Sequence, residues 1–130
     1  MTEFTKVNLA EVEDAAPGNG FGDRWEARVA RTALESERTG VTHFRLRPGR
    51  RSPFTHRHTD AEEVYVVLSG SLLANLEGEV VELRPFDALR VPKDTMRGFE
   101  GGPEGAELIA VGAPHTGPGD AEVENGWWGD

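Results

Sequence analysis

Cysteine is absent from this 130-residue chain, which excludes disulfide staples, thiolate zinc sites and thiol nucleophiles. Long apolar runs are also absent. Val64-Tyr65-Val66-Val67-Leu68 is typical of the longest, far short of the ~18 to 20 residues that a membrane helix needs. Lysine is scarce, at two residues against twelve arginines, and acids outnumber bases 23 to 14, for a net charge of −9. Nucleic-acid binding needs clustered cations to neutralise phosphate, and anionic membranes attract the same clusters, so neither is an expected partner. The first fourteen residues hold four acids and one lysine. A secretory leader has a basic start and an apolar middle, so we expect a cytoplasmic protein.

Glycine and proline are plentiful, 16 and 8 residues, and interrupt the chain every few positions. That punctuation favours many short strands over long helices. Trp25, Ala27 and Val29 alternate with Glu26, Arg28 and Ala30, and Val41 to Arg47 alternates again; period two marks half-buried strands. Further strands are expected at Glu63 to Leu68, Leu72 to Leu76, Val80 to Leu83, Ala88 to Val91, Met96 to Phe99 and Ala106 to Val111. Glu77-Gly78 should make a hairpin turn, Glu100 to Gly105 a loop, and Leu9 to Asp14 one helical turn. Strands at this spacing predict an all-β sandwich or small barrel of one domain. Residues 25–112 would form it, residues 1–24 would pack on it, and residues 113–130 would be a tail carrying Trp127 and Trp128.

Two of the four histidines lie in His56-Arg57-His58. On a strand, residues i and i+2 share a face, so both imidazoles can converge on one point. A turn at 59–61 would return Glu63 to the same point. Two imidazoles and a carboxylate suit a divalent transition metal such as iron, manganese, zinc or nickel. Glu62 is the rival carboxylate, but it falls on the opposite strand face, with Val64, Val66 and Leu68.

This stretch resembles the first motif of the cupin superfamily: Gly, a short spacer, His-x-His, three or four residues, Glu, six residues, Gly. Here Gly49 precedes His56-x-His58, four residues separate His58 from Glu63, and six separate Glu63 from Gly70. The spacer after Gly49 is six residues where the family has five. The second motif is degenerate. Pro92 matches, Phe86 and Asp94 stand where the family has Gly, and Arg97 stands where it has the fourth metal ligand. The resemblance spans residues 40–112. It implies a small single-domain cupin: a double-stranded β-helix (jelly-roll) barrel, often dimeric, with its site inside.

Arginine does not ligate metals and stays charged. A divalent ion ~6 Å from its guanidinium would be repelled by roughly 5 kcal/mol at an effective dielectric of ~20. Three arrangements follow. In the first the ion is kept by His56, His58 and Glu63, with Arg97 aside or paired to an anionic ligand; in the second no metal binds and Arg97 pairs with Glu63; in the third the barrel is only a scaffold. Direct pairing of Arg97 with Glu63 would speak for a site that has moved away from metal. By strand parity Tyr65 should line the cavity beside Glu63, where it could assist proton transfer. Arg97, Phe99 and His43 are the candidate ligand-facing residues. The reading is a cupin that binds a divalent metal and a small polar or anionic molecule, oxygenase- or isomerase-like. Its rival is a metal-free binding cupin without catalysis. The apolar far face of Glu63 to Leu68 implies a cover, from the N-terminal segment, the C-terminal tail or a second subunit; a homodimer through this sheet is the expectation.

Overall fold

The computed structural model describes residues 2–53, 55–58, 61–112 and 121–124. The turn residues Thr59 and Asp60, and the side chains of His115, Trp127 and Trp128, lie outside them. Eight strands carry the fold: β1 (Trp25–Val29), β2 (Gly40–Leu46), β3 (Thr55–His58), β4 (Glu63–Leu76), β5 (Glu79–Leu83), β6 (Ala88–Val91), β7 (Arg97–Gly112) and β8 (Ala121–Glu124). One short helix, α1 (Arg31–Leu34), and two single 3₁₀ turns at Leu9–Glu11 and Pro17–Asn19 complete the described elements. No helix among the described residues is long and apolar enough to cross a membrane.

Every pairing is antiparallel. The first half of β4 and the second half of β7 pair with each other and lie between β6 on one side and β2 then β1 on the other. Their remaining halves also pair and lie between β5 on one side and β3 then β8 on the other. Two long strands thus run through both layers, which is the double-stranded β-helix. The expected pairs of short strands, 63–68 with 72–76 and 96–99 with 106–111, are therefore one strand each, and the expected loop at 100–105 is strand.

Glycine makes that continuity feasible. Gly70 has φ 73° and Gly105 has φ 76°, and a Cβ on Gly70 would lie 2.1 Å from the Gly105 carbonyl oxygen. The left-handed conformation and the close approach both require a residue without a side chain. Register shifts flank Gly70, and an inserted residue swaps which face each side chain takes. Inward residues accordingly change from Glu63, Tyr65 and Val67 to Leu72 and Ala74. In β7 they change from Arg97 and Phe99 to Ala106, Leu108 and Ala110. The apolar ones among them, with Ala16, Trp25, Ala27, Leu46, Leu83 and Val91, form the buried core.

The N-terminal segment is tied to β1. The Asp14 carboxylate accepts from the backbone N–H groups of Ala16 and Ala27, each at 2.9 Å, and Ala15 N–H donates to the Ala27 carbonyl at 2.8 Å. Ala15, Ala16, Asn19 and Phe21 are thereby held at the wall of a cavity that Trp25 and Ala27 also line.

Candidate functional site

Strand β3 pairs with both β8 and β7, and places His56 directly opposite Arg97. Its far end is fixed by Asp94, whose N–H donates to the His58 carbonyl at 2.6 Å. Asp94 has φ 67° and Phe86 has φ 71°. Both adopt the left-handed conformation that glycine makes cheaply, as do Glu35 and Glu77 elsewhere in the chain.

His56, His58 and Glu63 converge: one ligand atom from each lies within 4.8 Å of the others. His58 Nε2 is 3.2 Å, and His56 Nε2 3.7 Å, from Glu63 Oε1. The two imidazoles meet edge to face, 5.1 Å between centroids. The same carboxylate oxygen accepts from the Tyr65 hydroxyl at 2.7 Å and from Arg97 Nη2 at 3.1 Å. Arg97 is fully buried. Its Nε donates to the Tyr65 oxygen at 3.2 Å and its Nη1 to the Thr95 carbonyl at 2.9 Å.

Electrostatics follow from this crowding. Burial alone would raise the Glu63 pKa. Hydrogen bonds from His56, His58 and Tyr65 outweigh it and hold the carboxyl well below its usual range. Burial, the largest effect on His56, pushes that imidazole's pKa down despite the Glu63 hydrogen bond. Burial and then the Glu63 charge push the Tyr65 phenol up, so it remains an O–H donor.

The cluster forms part of the wall of a cavity of about 470 Å³, within the range of roughly 300–1,000 Å³ usual for small-molecule sites. Trp25, Ala27 and Val29 of β1, Thr42 and Phe44 of β2, Ala15, Ala16, Asn19 and Phe21 of the N-terminal segment, and Val123 of β8 supply the rest. The Trp25 and Phe44 rings stack at 4.6 Å.

Of the residues expected at the site from the sequence, His56, His58 and Glu63 line the cavity, and Arg97, Tyr65, Phe99 and His43 are not among its described lining residues. Arg97, expected to face a ligand, lies behind Glu63 with its three nitrogens engaged. Phe99 is buried against the Tyr65 ring at 4.8 Å, and neither it nor Tyr65 is among the described residues of the cavity wall. His43 does not reach the site. Its β2 neighbours Thr42 and Phe44 face the cavity, so alternation turns His43 to the other side, where Nε2 lies 2.9 Å from Glu107. Trp25, Phe44 and Phe21 were missed as site residues; strand parity gave Trp25 and Phe44 a face, but which faces meet is tertiary information.

The Cupin domain family matches residues 42–112, more than half of the chain. This protein is a cupin. Its solved structural neighbours include a sugar phosphate isomerase of the cupin superfamily from Silicibacter pomeroyi (TM-score 0.72, 19% identity, covering 92% of each chain). The polyketide cyclase RemF from Streptomyces resistomycificus is also similar (0.71, 25%, covering 95% of this cupin and 85% of RemF). So is a single-site variant of Streptomyces PAC13 with uridine (0.70, 18%, covering 96% and 93%). No curated protein matches this cupin.

Proposed function

We propose that this cupin binds a small molecule in the 470 Å³ cavity, against a divalent transition metal held by His56, His58 and Glu63. The spacing of the three side chains carries the reading. A common ion with bonds of ~2.0–2.2 Å requires its ligand atoms about 3–3.7 Å apart, and the two imidazole-to-carboxylate separations are 3.2 and 3.7 Å. A carboxylate has roughly four acceptor positions. Tyr65 and Arg97 both bond to Oε1, so an ion on that oxygen competes with them, while Oε2 keeps its acceptor positions. Their part is positioning: carboxylate ligands are commonly held by such outer hydrogen bonds. An ion with open positions supplies Lewis-acid polarisation of a bound oxygen, chemistry of oxygenase or isomerase type. The neighbours' names span sugar phosphates, a nucleoside and polyketides, and so do not single out one substrate.

The direct Arg97–Glu63 pair, 3.1 Å long, favours a second reading. An ion on that carboxylate oxygen would lie within about 5 Å of the guanidinium, a repulsion of about 7 kcal/mol at an effective dielectric of ~20. That repulsion weakens the binding of any ion held by the three ligands. In the second reading Arg97 balances Glu63 permanently and the same cavity binds its ligand without metal.

The test is the metal content of protein purified without a histidine tag and incubated with iron, manganese, zinc or nickel. We expect about one ion per chain, lost in His56→Ala. No retained metal under any of these conditions leaves the metal-free reading. Arg97→His, which restores the family's fourth ligand, should tighten the binding at least tenfold.

A further inference from the structure

The cavity combines one polar corner with an otherwise apolar wall. Ala15, Ala16, Phe21, Ala27, Val29, Phe44 and Val123 carry no polar side-chain atom; besides the His/His/Glu cluster, the described lining offers only the Asn19 amide, the Thr42 hydroxyl and the Trp25 indole N–H. No Lys or Arg is among the described lining residues. Arg97, paired with the cluster's Glu63, is fully buried and spends its nitrogens on Glu63, Tyr65 and Thr95. A phosphorylated sugar would bring several hydroxyls to a mostly apolar wall, and its phosphate would meet no Lys or Arg among the described lining residues. Unpaired buried polar groups are penalised heavily. The wall instead suits a ring. Phe44 is half-buried and stacked on Trp25 at 4.6 Å, and planar apolar molecules pack well against such faces.

We propose that the ligand of this cavity is a planar, largely apolar ring compound with a single hydroxyl or carbonyl head. The ring lies along Trp25, Phe44 and Val29, and the head reaches His56, His58 and Glu63. Phe44 and Val29 are then specificity-determining residues. Val29 is 55% exposed at the rim, so it can be changed without opening the core. This inference rests on the cavity being the ligand site, as proposed above, but holds whether or not a metal is bound.

Calorimetric titration of the full chain with 2-naphthol and with glucose 6-phosphate, with and without manganese, tests it. We expect 2-naphthol to bind at least tenfold more tightly than glucose 6-phosphate. Val29→Lys and Phe44→Ser should each weaken 2-naphthol at least tenfold, with Val29→Lys melting as the parent does. Equal or tighter binding of glucose 6-phosphate, lost in His56→Ala, would keep the site and overturn the ligand class. A 2-naphthol affinity within twofold of the parent in folded Val29→Lys would overturn the assigned wall. Binding of neither compound would remove the ligand class and the site reading together.

Discussion

Arg97 holds a charge where water does not reach, and its carboxylate partner among the described residues, Glu63, is the one shared with two histidines. Breaking such a pair from one side leaves an uncompensated buried charge, which costs about 3–5 kcal/mol. Arg97→Met should therefore lower stability by about that much in urea unfolding of metal-free protein. The double variant Arg97→Met/Glu63→Gln should recover a large part of the loss, because no ion is then stranded. Residue-scale legibility had a clear limit. The His-x-His spacing and the parity of Glu63 located the cluster, because both depend only on the two-residue period of a strand. Parity also turned Arg97 and Tyr65 inward. It could not say that these side chains would lie behind the carboxylate and not in front of it, since that depends on how far each reaches within the barrel.

Among the elements, the two long strands depend on Gly70 and Gly105, where three backbones cross. Gly70→Ala would place a methyl 2.1 Å from the Gly105 carbonyl oxygen and force a left-handed alanine. A loss of at least about 2 kcal/mol is expected in denaturant unfolding, from overpacking and backbone strain together. The control is Gly78→Ala, at φ 97° with nothing within 4 Å of its Cβ, which should cost less. The same glycines explain what the sequence reading split. Ser69-Gly70 and the glycine-rich stretch 100–105 look like turns because loops use the same residues, yet here they serve a bend within a continuous strand. The short hairpin at Glu77-Gly78 and the strand Ala88–Val91 were legible, since each is bounded by local turn chemistry alone. The strand β8, within the expected tail, was not.

At the scale of the whole molecule, one sheet surface is left partly bare. Val64 and Val66 on β4 and Ile109 and Val111 on β7 are half-buried, and Leu68 is 36% exposed. A contiguous apolar face of this kind is characteristic of association sites, and the homodimer expected from the sequence would use it. Sedimentation should give about twice the 14.2 kDa chain mass, returning to monomer in Leu68→Arg; a parent sample that is monomeric throughout its concentration range removes the idea. On the other side of the molecule, part of the cavity wall is not barrel at all. Ala15, Ala16, Asn19 and Phe21 belong to a strap fastened to β1 mainly by Asp14. A strap is free of the alternation that every barrel strand must obey, so its sequence can drift in length and composition while the sheet register stays intact. The selectivity of this protein and its folding are thus partly separable in evolution: a lineage could acquire a new ligand by rewriting a few residues at its N-terminus, leaving the histidines and the core as they are.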